Sequence, residues 1–375
     1  MTEPEDRRPD RGAASPTAES NPAAAETTPA RDARLDNAKF LLIGLVVVGH
    51  MLGPMRDYGP ANVLYYWIYF FHMPAFILIS GYLSRSFTTS PRRVEKLILT
   101  LAVPYLVFWA VDHAVHALQR GSLPDALSLL QPTYALWFLV ALFLWRLSVP
   151  VWQRLRRPVA VALVVSVCAA TTDLGSGTLA IGRVLSFLPF FVLGLTLRRE
   201  HLALLDKLWV RVGAVAVMGV TALLAVPASQ ELSTDWLFLS SSLTDRDIDP
   251  LLPGLGIRLA FLGIALAMSI AFLALTPKRR TWFTDLGAYT LYVYLGHAAL
   301  MEPLRMTPWY DVATGPVGTV ATLLLAAGLV LLLCSPWVRA CLRWAVEPRS
   351  TWFLKPLPDT PRPAERESAG SGSRA

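Results

Sequence analysis

Two side chains able to do chemistry stand eleven positions apart in an otherwise apolar run. They are Lys39 and His50, within Arg34-Leu-Asp-Asn-Ala-Lys-Phe-Leu-Leu-Ile-Gly-Leu-Val-Val-Val-Gly-His50. On an α-helix eleven residues make about three turns, which puts the ammonium and the imidazole on one face, roughly 16 Å apart along the axis. A neutral imidazole is basic enough to take a proton from a hydroxyl that attacks a carbonyl, so His50 is a candidate general base. The alternative is a histidine hydrogen-bonded to a neighbouring helix. Lys39 is a candidate contact for a phosphate-bearing donor arriving from the cytosol, against simple snorkelling of its ammonium to headgroups. Arg92, Arg93 and Lys96 could complete a cationic clamp on a diphosphate, though topology also explains basic residues there.

Other candidates are scattered. His72 stands two residues before Pro74, and Pro74 cannot donate to a helix ladder, so it frees backbone groups beside an imidazole. The alternative is a packing kink, with Ser80-Gly81 as a close contact between helices. Ser80 is a conceivable nucleophile, with no activating base beside it in sequence. His297 follows Tyr292-Val-Tyr-Leu-Gly, where the tyrosines also suit an interfacial belt. Trp137-Phe138 reads as packing. Arg183 leads into an apolar stretch and could hold an anionic or hydroxyl-rich acceptor, or pair with Asp173. Cys168, Cys334 and Cys341 lie in or beside apolar runs without metal-ligand spacing and read as small core residues. No metal site, nucleophile elbow or phosphate-binding glycine loop is present in the sequence.

The elements that must position these groups are membrane helices. Hydrophobic residues make up 54% of the 375 and charged residues 16%, against roughly 25% charged in a soluble domain. The apolar residues come in long blocks, which predicts an all-α polytopic membrane protein. Ten spans are expected, near 38–55, 62–84, 97–118, 134–152, 157–172, 183–198, 209–228, 255–276, 283–304 and 316–338. Residues 1–34 and 345–375 are too polar to bury a core and are expected to be disordered tails flanking one transmembrane domain, 35–344. No cleavable signal peptide is expected. Alternate connections carry fourteen basic residues, among them Arg85, Arg154, Arg198 and Lys278. The intervening connections carry five: Arg56, Arg120, Arg183, Arg246 and Arg305. Basic residues are retained on the cytoplasmic side, so both termini are expected there, with the acidic loop Glu231 to Asp249 outside. That orientation lets His50, His72 and His297 converge near or above the bilayer centre. Asp112, His113 and His116 fall at an outer helix end, where solvent or headgroups satisfy them. The net charge of +7 is explained by topology, and no nucleic-acid partner is expected.

These residues, taken in order, resemble a known family. The basic residue, ten intervening positions and His (Lys39 to His50), introduced by Leu35-Asp36-Asn37-Ala38, resemble the first-span motif of the membrane acyltransferase-3 family. The likeness is greatest to its fucose 4-O-acetylase-like branch. Phe70-Phe71-His72-Met73-Pro74 with Ser80-Gly81-Tyr82-Leu83 resembles the next motif. Leu136-Trp137-Phe138-Leu139, Phe187-Leu188-Pro189-Phe190-Phe191-Val192-Leu193-Gly194 and Thr290-Leu-Tyr-Val-Tyr-Leu-Gly-His297 follow in family order. The resemblance covers about residues 34 to 340.

It implies a ten-span enzyme of a bacterial plasma membrane that takes an acyl group, usually acetyl, from cytosolic acyl-CoA (acetyl-CoA) to a hydroxyl of a carbohydrate or glycolipid acceptor. His50, with His72, would be catalytic. Lys39, where much of the family has Arg, would bind the CoA donor together with Arg92 and Arg93. Asp36, Trp137, Arg183 and His297 would contact substrate. A periplasmic hydrolase-like partner, if one is used, is expected to be a separate protein. The rival readings are a transporter or flippase of a lipid-linked saccharide, an enzyme acylating a cytosolic glycoside such as a macrolide, and a scaffold with structural histidines.

Overall fold

The computed structural model describes residues 32–121, 128–172, 178–239, 243 and 251–349. Most of the expected tails, Asp173 and about half of the acidic loop lie outside the described residues. Among the described residues every regular element is helical: α1 Ala33–Leu52, α2 Gly59–Tyr69, α3 His72–Leu83, α4 Pro91–Leu97, α5 Val103–Arg120, α6 Trp137–Arg154, α7 Pro158–Thr171 and α8 Ile181–Thr196. There follow α9 Arg199–Leu204, α10 Leu208–Glu231, α11 Asp235–Phe238, α12 Leu251–Leu275, α13 Thr290–Arg305, α14 Trp309–Val312, α15 Gly315–Leu333 and α16 Pro336–Val346.

Helices occupy all ten expected segments, but seven stretches among the described residues are long and apolar enough to cross a membrane. The three that fall short are α6, α7 and α13, of 18, 14 and 16 residues. Fourteen helical residues rise about 21 Å against a hydrocarbon core of about 30 Å. Local sequence sets the trims. Residues ahead of Thr290 form a turn, Asp285–Ala288, that closes on α1. The last apolar run stops at Leu333 because Pro336 cannot extend the helix, and Ser335 caps α16 instead by accepting from the Val338 N–H.

The expected second span is broken. α2 ends at Tyr69 and α3 starts at His72, with Phe71 at φ −138°, ψ −20°. In a continuous helix residue 74 would donate to the Phe70 carbonyl, and proline can only clash there. The break therefore falls one turn before Pro74 and leaves His72 at a helix start. α3 then crosses α8 at backbone contact: a Cβ on Gly81 would lie 2.1 Å from the Phe191 oxygen, and one on Gly194 2.2 Å from the Leu78 oxygen. Small residues are what let two membrane helices approach so closely. Ser80, beside this contact, donates to the Phe76 carbonyl at 2.9 Å and is buried.

The N-terminal end of α1 is locked by polar contacts. Asn37 is fully buried; its amide donates to the carbonyls of Pro277 (2.9 Å) and Arg279 (3.0 Å), and its oxygen accepts from Thr281 (3.0 Å) and Thr284 (2.7 Å). Gly287 sits against the Asp36 backbone so closely that a Cβ would lie 2.1 Å from its oxygen. Arg34 donates to the Leu202 carbonyl at 3.0 Å and to Asp206, which also pairs with Lys278 at 3.2 Å. Partial desolvation pushes the Asp206 carboxyl up, but Arg34 and Lys278 outweigh it and hold it below the usual carboxylate range.

Apolar side chains face outward along α10 (Leu208, Trp209, Val212, Val215, Leu223) and α15 (Val317, Val320, Leu324). Faces this apolar suit lipid as solvent, with every backbone polar group satisfied inside the helix. Cys168 and Cys341 are exposed and only Cys334 is buried, all three as free thiols. Two of the three therefore lie on the outside of the bundle, a correction to their reading as core residues.

Candidate active site

α1, held at its start by Asn37, carries His50 into the wall of a cavity of about 500 Å³, within the usual range of small-molecule sites. The cavity lies at the end of the bundle where α1 and α13 finish and where α2, α6 and α8 begin. Val46, Gly49 and His50 come from α1, and Gly53 and Arg56 from the turn beyond it. Tyr65 and Tyr69 come from α2, His72 from the start of α3, Trp137 from α6, Arg183 and Phe187 from α8, and Tyr294 and Arg305 from α13.

The aromatic groups form a continuous wall. Tyr69 stacks on Tyr65 at 4.1 Å and meets His72 edge-on at 4.6 Å. Gly49 makes room for it, since a Cβ there would lie 2.8 Å from the Tyr69 ring. Trp137 stacks on Phe187 at 5.6 Å. The Arg183 guanidinium lies 5.6 Å from the centre of the Trp137 ring and 5.7 Å from that of Phe238, within cation–π range. The chain enters α8 through Leu179 and Ala180, both at positive φ (54° and 48°). Such backbone costs about 1–2 kcal/mol per residue and concentrates where position matters more than stability.

The imidazoles are oriented by backbone. His72 Nδ1 lies 2.9 Å from the Ile68 carbonyl and His297 Nδ1 3.0 Å from that of Val293. A carbonyl only accepts, so each Nδ1 carries the proton and each Nε2 the lone pair, a tautomer assigned from the hydrogen bond. The His297 ring centre is 5.3 Å from that of His50. His297 is fully buried and stands behind His50, off the cavity wall.

Of the residues singled out from sequence, the structure brings His50, His72, Trp137 and Arg183 into one cavity, with His297 against it. It does not bring the others there. Lys39 pairs with Asp36 at 2.8 Å, about three turns below His50. Asp36 is buried in that pair and is absent from the cavity wall. Arg92 and Arg93 are exposed on α4, where Arg93 donates to the Ser86 carbonyl. Ser80 is held by the Phe76 carbonyl and is absent from the cavity wall. Asp112 is not at an open helix end either. It is buried, 3.6 Å from His116, beside a second cavity of about 360 Å³ that also includes Glu302. Sequence reasoning missed Tyr65, Tyr69, Arg56 and Arg305. The signal for the two arginines was present, since both break the charge pattern of the connections.

Residues 32–337 match a family model described as an acyltransferase domain. The nodulation protein NolL of Mesorhizobium japonicum is 32% identical over 180 residues, covering 44% of this chain and 47% of that protein. The chain thus spans about half the length of that curated relative. No solved structure matches. A family match running from the residue before α1 into α16, over a bundle that gathers the ordered motifs, shows that the chain belongs to the membrane acyltransferase-3 family.

Proposed function

We propose that this protein is an integral-membrane O-acyltransferase of a bacterial plasma membrane. It moves an acyl group, acetyl by preference, from cytosolic acyl-CoA to a hydroxyl of a carbohydrate or glycolipid. The observation that carries the reading is the placement of His50 in the wall of an aromatic-lined cavity, with His72 beside it and His297 behind it. The cavity is built from helix ends that the charge pattern assigns to the outer side, with about ten spans and both termini cytoplasmic. Lys39 then marks the side from which the donor arrives, and the cavity the side from which the acceptor enters.

His50 takes the proton from the acceptor hydroxyl, and the oxygen forms its bond to the thioester carbonyl carbon. The tetrahedral intermediate collapses by breaking the carbon–sulfur bond. The proton on the imidazolium passes to the departing CoA thiolate, giving an ester and free thiol. His297 supports the His50 ring, and Tyr69 and His72 line the path of the acceptor. No metal is required for this sequence. Acceptor-dependent release of CoA from acetyl-CoA, with a cell-envelope glycan extract as acceptor, tests it. The purified protein should release CoA and His50→Ala should not. Absence of release by both, across several acyl-CoAs and acceptors, would leave transport as the better reading.

A further inference from the structure

Five basic residues depart from the charge pattern of the connections, and the three whose side chains the structure describes all line one cavity: Arg56, Arg183 and Arg305. Among the described residues no carboxylate lines that cavity. Glu302 pairs with Arg305 at 3.6 Å from one side, and Asp235 accepts from Ser233 off the wall. Two of the guanidiniums are held against aromatic faces, Arg56 at 5.3 Å from the Tyr65 centroid and Arg183 beside Trp137. Three guanidiniums on the wall, against Glu302 beside Arg305 and Asp235 acting on Arg183 from farther off, leave the described lining with an excess of positive charge, and partial burial of Arg183 removes the water that would screen it. A neutral sugar would leave that excess in place. An anion relieves it, and a guanidinium fork matches the geometry of a carboxylate or phosphate.

We infer that the acceptor is an anionic glycosyl unit, a sugar carrying a carboxylate or a phosphate. Its charge rests among Arg56, Arg183 and Arg305, its ring packs on the aromatic wall, and a hydroxyl is presented to His50. This rests on the acyltransferase reading for the role of His50, but not for binding itself. The two sources of the anion are a sugar acid within a glycan and the phosphate that joins a sugar to a lipid carrier.

The test is binding to the full chain in detergent, read by quenching of tryptophan fluorescence. The probes are methyl glucuronoside, glucose 1-phosphate, neutral methyl glucoside and acetyl-CoA. The charged sugars should bind about tenfold or more tightly than the neutral one, a difference of about 1.4 kcal/mol. Arg183→Gln and Arg56→Gln should remove that preference and leave acetyl-CoA binding unchanged, with Arg183→Lys retaining part of it as a control for folding. Glucuronoside above glucose phosphate assigns the carboxylate source, and the reverse order assigns the phosphate. Equal binding of charged and neutral sugars, binding of none, or arginine variants that lose acetyl-CoA instead would each overturn the inference. Charge-selective binding without any CoA release would keep it and end the acyltransferase reading. CoA release to neutral acceptors with no charge preference would do the opposite.

Discussion

In the proposed mechanism His50 carries the chemistry, and its replacement separates catalysis from architecture. His50→Ala should lower acceptor-dependent CoA release by about 10²–10⁴-fold, the usual worth of a general base, while leaving the melting temperature nearly unchanged. Asn37 is the opposite case. It belongs to the same motif, Leu35-Asp36-Asn37-Ala38, yet its four hydrogen bonds hold the segment from Pro277 to Thr284. Asn37→Ala should cost about 2–4 kcal/mol, because it strands several buried partners at once; thermal melts in detergent check this. The sequence marked His50 as a costly group in an apolar run, whereas Asn37, just ahead of the expected span 38–55, entered only as part of the family motif. The sequence could not separate their roles, because the partners of Asn37 lie some 240 positions away. A separation of 172 positions likewise hid the anchoring of Arg34 by Asp206. At neutral pH Asp206→Asn should lower stability by about 1 kcal/mol or less, since the carboxylate is partly exposed. The folded Asp206 is the more acidic state. Its contribution is therefore complete above the ordinary carboxylate pKa near ~4 and fades as pH falls through the lowered folded value. Melts of wild type and variant should converge in acid.

At the scale of elements, apolar blocks located every long helix, but their ends obeyed contacts that periodicity does not show. Pro74 announced a kink; that the break would fall at Phe70 and Phe71 follows from the carbonyl four residues earlier. Ser80-Gly81 and Val192-Leu193-Gly194 read as separate motifs, and the fold joins them as the two sides of one crossing. Gly81→Ala or Gly194→Ala drives a Cβ into a backbone carbonyl, which no rotamer change relieves. Either substitution should separate α3 from α8 and lower stability by about 3 kcal/mol or more. The yield of monodisperse protein in detergent measures this, and Gly44→Ala, with nothing within 4 Å of the added Cβ, is the matched control. The seven long apolar stretches against ten expected spans mark the same limit. Composition finds the helices, whereas the prolines at the start of α7 and after α15, and the turn ahead of α13 that packs on α1, set where they end.

At the scale of the molecule, charge explains more than the helices do. Most basic residues in the connections obey one topological rule, and the described exceptions among them line one cavity at the other end of α1 from Lys39. On the proposed reading, Lys39 marks the donor side and the cavity the acceptor side, and α1 joins the two compartments at His50. The most direct measurement follows labelled acetyl-CoA sealed inside proteoliposomes, with a glycan acceptor supplied outside. The account predicts labelled ester on the external acceptor, dependent on His50 and accompanied by free CoA inside. Acceptor that crosses the membrane unmodified, with the label still on CoA, would contradict it.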